Sequence, residues 1–113
     1  MAETGRLIKK YPNRRLYDTK TSAYITLADV KALVLRYEEC QIVDAKSNED
    51  LTRAILLQII LEEEAGGAPM FSSEILTQFI RFYGTAMQTM VGAYLERNIM
   101  LFNELQKKQQ AAK

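Results

Sequence analysis

The sequence predicts an α+β fold: a small N-terminal antiparallel strand layer packed with two helices, then a long C-terminal helix used for oligomerisation. Three observations predict it. Short β-prone runs separated by turn residues fill the first 25 positions. Two stretches with helical apolar spacing follow, with a strand-like run between them. Then Ala65-Gly66-Gly67-Ala68-Pro69 interrupts the chain, and a helical pattern continues almost to the end. These divide the chain into an α+β domain over 6–64, a linker over 65–71 and a helical segment over 72–110.

The elements follow from local chemistry. Residues 1–5 are expected to fray. Leu7-Ile8-Lys9-Lys10-Tyr11 suits a strand that puts Leu7, Lys9 and Tyr11 on one face and Ile8 and Lys10 on the other. Pro12-Asn13 turns the chain, Arg15 to Asp18 returns, and Thr19 to Ser22 is a polar turn before a third strand at Ala23-Tyr24-Ile25. Thr26 reads as an N-cap with Asp29 three residues on, opening a helix to about Tyr37 whose stripe is Leu27, Val30, Leu33, Val34 and Tyr37. Cys40 to Asp44 reads as another strand. A second helix, about Leu51 to Glu64, is apolar almost all round, which predicts burial between the sheet and another subunit or helix. Glu62-Glu63-Glu64 sit at its unfavourable negative pole and are expected to face a partner or solvent.

Beyond the linker, Ser72 or Ser73 caps a helix expected to run from Glu74 to about Gln109. Leu76, Ile80, Tyr83, Met87, Met90 or Val91, Tyr94, Ile99, Leu101 or Phe102, and Leu105 keep a helical stripe for most of that length. Gly84 and Gly92 are its weak points, where the helix can bend or a second helix can approach. An unbroken rod of about 36 residues would be roughly 54 Å long, and its apolar stripe would require a partner. Self-association, as a homodimer or homotetramer, is the expected use. A break at Gly84 that folds the helix back is the alternative.

Composition removes several classes of function. The 113 residues contain no histidine and one cysteine, Cys40, so the commonest general base, an internal disulfide and a His/Cys metal site are all missing. Neither an enzyme nor a cofactor or metal site is expected. The opening MAETGRLIKK lacks an apolar core, so no secretory signal is expected, and no run is long enough to cross a bilayer. A cytoplasmic protein without membrane contact is the expectation.

The charge is distributed unevenly. Arg6 to Ser22 holds six cations (Arg6, Lys9, Lys10, Arg14, Arg15, Lys20) and one acid, Asp18, a balance of +5 on a chain of net +1, so the remainder carries −4. A compact basic segment on an otherwise acidic protein marks a surface for a polyanion, although the same charges can simply solvate a hairpin. Tyr11, Tyr17 and Asn13 interleave the cations and can stack on, or hydrogen-bond to, nucleic acid. A helix-turn-helix is excluded because Glu38 to Asp50 lies between the first two helices, and the second helix is too apolar for a groove. If double-stranded DNA is the partner, the strand-turn-strand segment makes the contact. Lys9, Lys10 and Lys20 would neutralise phosphates, Arg14 and Arg15 would pair with guanine edges, and Asn13 with adenine. RNA bound by Tyr11 and Tyr17 is a weaker reading, since stacking platforms usually present aromatics on a sheet face.

The run LIKKYPNRRLYDTKTSAYITLADVKALV, with VDAKSNEDLTRAILLQIILEEE and FIRFYGTAMQTMVGAYLERNIMLF after it, resembles the bacterial polyhydroxyalkanoate synthesis repressors, also called polyhydroxybutyrate accumulation regulators. The resemblance covers nearly the whole chain. It implies a DNA-binding repressor of phasin genes and of its own gene, released when it binds the storage polyester. By position it implies DNA contacts from Lys9, Lys10, Tyr11, Asn13, Arg14, Arg15, Tyr17 and Lys20. It assigns no polymer contacts; the residues themselves offer Phe71, Phe79, Phe82, Tyr83, Met87, Met90 and Tyr94, each of which also suits a core or dimer interface. Relatives commonly continue past the point where this chain ends, which bears on polymer sensing more than on DNA binding. The competing expectation is a granule-surface or protein-interaction module that does not bind DNA.

Overall fold

In the computed structural model, which describes residues 5–111, the backbone forms eight elements: β1 (Arg6–Lys10), β2 (Leu16–Asp18), β3 (Ala23–Ile25), α1 (Leu27–Leu35), β4 (Cys40–Asp44), α2 (Thr52–Gly66), α3 (Ser73–Phe82) and α4 (Met87–Ala111). The chain divides at Pro69–Met70 into two units. The fold is α+β, as the sequence predicts. The fraying expected of the first residues lies outside the described residues, except at Gly5.

In the N-terminal unit the sheet order is β3-β2-β1-β4. The first three strands form the antiparallel meander, and β4 joins its far edge parallel to β1, Ile42 beside Ile8. A parallel neighbour needs a crossover, and α1 provides it. Alternation then sorts the side chains. Ile8, Leu16 and Ile42 face inward and close a core with Val30 and Leu33 of α1 and Ile55 of α2. The opposite face carries Leu7, Lys9, Tyr17 and Tyr24.

The connections are held by specific bonds. Thr26 and Asp29 form a reciprocal capping box: the Asp29 N–H donates to Thr26 Oγ1 at 3.2 Å, and the Thr26 N–H to Asp29 Oδ2 at 2.9 Å. At the other end of α1 the Glu38 N–H donates to Leu33 O and the Tyr37 N–H to Val34 O, a Schellman closure. It places Tyr37 at φ 64°, a left-handed position where glycine is usual, and leaves its ring 87% exposed. Tyr37 therefore leaves the apolar stripe expected of it. Asp44 accepts from the Lys46 and Ser47 N–H groups to shape the β4–α2 turn, and Asp50 Oδ1 accepts from the Thr52 N–H at the start of α2. These donors hold both carboxyls below their ordinary range.

The inner side of α2 and its glutamate end each find contacts within this unit. α2 is covered on one side only: Ile55 is buried and Ile59 packs against the core, whereas Leu57, Ile60 and Leu61 are exposed in this unit. Of the terminal glutamates, Glu63 pairs with Lys31 of α1 at 2.9 Å.

The continuous rod over 74–109 is not formed. Ser72 caps α3 through the Ile75 N–H, and α3 stops at Tyr83. Gly84 adopts φ 79°, which ends the helix, and Thr85-Ala86-Met87-Gln88 starts the next one. Thr85 Oγ1 accepts from the Met87 N–H, while Gln88 Oε1 accepts from the Gly84 N–H at 2.9 Å. A hydroxyl residue followed three positions later by glutamine is a helix-start signal, and it coincides here with a glycine that can turn left-handed. The break at Gly84 weighed as the alternative is the one found. At about 1.5 Å per residue, α3 is roughly 15 Å long and α4 roughly 37 Å.

Candidate nucleic-acid interface

The basic segment folds into the β1–β2 hairpin. Tyr11 and Arg15 close it, the Tyr11 N–H donating to Arg15 O at 2.9 Å, and Pro12-Asn13-Arg14 form the loop. The Arg14 N–H donates back to Tyr11 O, giving a turn followed by a left-handed residue, Arg14 at φ 67°. Glycine is usual at such a position. Here an arginine occupies it, at the exposed tip. Asn13 Oδ1 accepts from the Arg15 N–H at 3.1 Å, so its carbonyl oxygen is committed to the loop. Its NH2 group remains to reach a base, and the oxygen keeps one lone pair.

The three tyrosines of this region meet on the open face of the sheet. Strand register places Lys9, Tyr17 and Tyr24 in a row across β1, β2 and β3. Tyr17 and Tyr24 pack edge to face with centroids 5.3 Å apart, and Tyr11 lies 6.4 Å from each. The Arg15 guanidinium stacks over Tyr24, 4.3 Å from the ring centroid. A stacked guanidinium keeps its N–H edges free while losing much of its rotational freedom, so the site is partly ordered before any partner arrives. Tyr24 is the member that sequence reasoning passed over as a mere strand former. Its place was recoverable: a four-residue turn between Asp18 and Ala23 fixes Tyr24 opposite Tyr17.

On the helix-covered side of the hairpin a recess of about 700 Å³ opens. Lys10, Arg14 and Arg15 line its cationic part, and Leu16, Ile25 and Ile55 its apolar part. Lys9, Lys10, Tyr11, Asn13, Arg14, Arg15 and Tyr17 thus gather around one hairpin. Lys20 does not join them. It lies in the β2–β3 turn, at the opposite end of the sheet from the tip, in a recess shared with Glu38 and Glu39.

Arg6 also leaves the expected basic surface. It is turned inward, 3.0 Å from Asp18 Oδ2 and 3.1 Å from Glu38 Oε1. Asp18 is 1% exposed and further accepts from the Lys20 N–H and the Thr21 hydroxyl. This pair organises the hairpin's far end. Arg14 and Arg15, by contrast, are exposed and make no ion pair among the described residues. Near Arg6, burial pushes the Cys40 thiol above its ordinary value against the opposing pull of the Arg6 guanidinium, with smaller upward pushes from Glu38 and Asp18.

The apolar candidates of the C-terminal unit separate into two groups. Phe71 and Phe79 pack edge to face at 5.6 Å, and Phe79, Phe82 and Tyr83 line an apolar crevice of about 210 Å³ against Val91, Gly92 and Leu95. Met87, Met90 and Tyr94 are exposed on α4. Among the described residues no helix is long and apolar enough to cross a membrane, and no cluster of carboxylates and cysteine could hold a metal ion.

A small α+β unit presenting a cationic hairpin, followed by a helical unit rich in exposed apolar side chains, fits a two-part regulator. Comparison with known families agrees. Residues 7–67 match the PHB/PHA accumulation regulator DNA-binding domain, and residues 71–110 match the PHB accumulation regulatory domain. The chain belongs to the PHB/PHA accumulation regulator family, and its N-terminal unit is that family's DNA-binding domain. Among curated proteins it is 56% identical over 103 residues to an uncharacterized protein in the phbA 5′ region of Thiocystis violacea, covering 91% of this chain and 75% of the relative. It is 54% identical over 101 residues to an uncharacterized protein of Allochromatium vinosum, covering 89% of this chain and 66% of that one. No solved structure matches it.

Proposed function

We propose that the protein is a transcriptional repressor of polyhydroxyalkanoate storage, acting on phasin genes and on its own promoter. It binds double-stranded DNA through the β1–β2 hairpin and leaves when the polyester occupies its C-terminal unit. The observation that carries this reading is the hairpin tip, with Arg14 and Arg15 exposed beside Lys9 and Lys10 on a DNA-binding domain. Lys9 and Lys10 anchor phosphates. Arg14 and Arg15 reach base edges in a groove, the second held in place by Tyr24. Lys20, beyond the far end of the sheet, contributes at most to long-range attraction.

Release is a linkage between two sites. The polymer displaces DNA to the extent that it binds the DNA-free form better. The exposed apolar side chains of α4 and the crevice beside Phe79 and Phe82 are the surface offered to it. The same α4 joins subunits as a homodimer or homotetramer, presenting paired hairpins to a two-fold related site.

Mobility-shift titration with a phasin promoter fragment and with random DNA tests the reading. Arg14→Ala and Arg15→Ala reduce the preference for the promoter, whereas Lys9→Ala weakens both DNAs about equally. No shift with either DNA at low salt supports a granule-surface module instead. Addition of short polyester to the bound complex releases DNA if the regulatory half of the reading holds.

A further inference from the structure

We infer that α4 pairs in parallel and in register with α4 of a second copy of this chain, Asn98 facing Asn98. The inference rests on the self-association proposed above and specifies its direction and alignment. Helix lengths supply the first argument. α3 has 10 residues and α4 has 25, and the turn at Gly84 lays α3 against the first part of α4, where the crevice forms. The half of α4 from Asn98 onward therefore outruns α3, yet Ile99, Leu101, Phe102 and Leu105 are all more than half exposed there. Nothing else in this unit is long enough to cover them.

The spacing identifies the occupant. Met87, Val91, Tyr94, Asn98, Leu101 and Leu105 follow one another by four, three, four, three and four residues. That alternation keeps a seam facing another helix along its whole length. Val91, Asn98 and Leu105 take the first core position of each heptad and Met87, Tyr94 and Leu101 the other. The flanking positions include Arg97 and Glu104, one of each sign, so two identical seams meet without a like-charge clash.

Asn98 decides the direction. It is the polar member of an otherwise apolar seam and less exposed than its neighbours Ile99 and Leu101. Its Nδ2 donates to Tyr94 O within its own helix at 2.7 Å, and its Oδ1 accepts no hydrogen bond among the described residues. An antiparallel pair would set each Asn98 against an apolar side chain and leave two carboxamides unpaired inside the seam. Its compensation would be Arg97–Glu104 pairs at the wet rim, which are weak. In the parallel, aligned pair the two carboxamides meet and bond each other, the arrangement in which a core asparagine fixes register.

Disulfide trapping in the full chain tests this. In a Cys40→Ser background that keeps Asn98, Leu105→Cys and Glu96→Cys are oxidised separately, alongside sedimentation of each unoxidised protein. A parallel aligned seam brings the position-105 Cα atoms within disulfide reach, so Leu105→Cys crosslinks about tenfold faster than the outward-facing Glu96→Cys. Dimers by sedimentation with equally slow trapping at both positions overturn the direction and register and leave self-association standing. Monomers in sedimentation overturn the self-association itself.

Discussion

The two units solve the burial of apolar surface in opposite ways. The first closes a core on Ile8, Leu16, Val30, Leu33, Ile42 and Ile55 and locks its corners with a capping box, a Schellman closure and the Arg6–Asp18 pair. The second has none of its described side chains fully buried and leaves Tyr94, Met100, Phe102 and their neighbours on its surface. A closed core can present a defined hairpin, while an unfinished one needs another molecule to complete it. Recognition and regulation are thus placed where each kind of surface is available.

The contrast predicts where substitutions act on stability. Asp18→Ala takes one of two carboxylates from the inward-turned Arg6, leaving Glu38, and costs about 3 kcal/mol in urea unfolding of the N-terminal unit. A substitution such as Leu101→Ala, at an exposed seam site of α4, leaves that transition unchanged and lowers the association constant instead. Equal effects of both on the same transition would show that the two units unfold as one.

Within the first unit, the hairpin's ordering is the sharper question. Arg15→Ala lowers discrimination between promoter and random DNA by roughly 1–3 kcal/mol, the worth of a lost bidentate base contact. Tyr24→Leu keeps the strand but removes the stacking platform, so discrimination falls in the same direction and by less. If Tyr24→Leu changes affinity for both DNAs alike, the stack plays no part in reading. The expectation about Asn13 narrows on these grounds, since its carbonyl oxygen already accepts one bond inside the loop.

Much of this architecture was legible in the sequence because local rules govern it. Thr26 and Asp29 are spaced for a cap, Pro12-Asn13 marks a turn, and alternation from Leu7 to Lys10 assigns the faces. What escaped depended on relations across the sheet or on competing signals. Arg6 counted as surface charge because its partners, Asp18 and Glu38, lie 12 and 32 positions away. Tyr24 became part of the site only through register. At Gly84 the apolar stripe continued through the break, so periodicity hid a turn that Thr85 and Gln88 encode.

Two smaller effects probe the closed unit's corners. Tyr37→Gly relieves the left-handed backbone at φ 64° and stabilises the unit by about 1 kcal/mol, read as a raised urea midpoint. Asp44, held below the ordinary carboxylate value by the Ser47 and Lys46 N–H donors, contributes stability above the unfolded value of about 3.9 and loses it as pH falls through its own lower one. Asp44→Asn therefore makes the fall of the thermal midpoint below about pH 4 shallower. An unchanged acid limb would remove Asp44 from the account.

The central claim is that a cationic hairpin on the closed unit grips DNA, and its most direct test is the salt dependence of promoter binding. A dimer making about three phosphate contacts per subunit gives a slope of log K against log salt near −5, and replacing both Lys9 and Lys10 with alanine makes that slope markedly shallower. A flat response in the unaltered protein, or a slope unmoved by the double replacement, would contradict the claim.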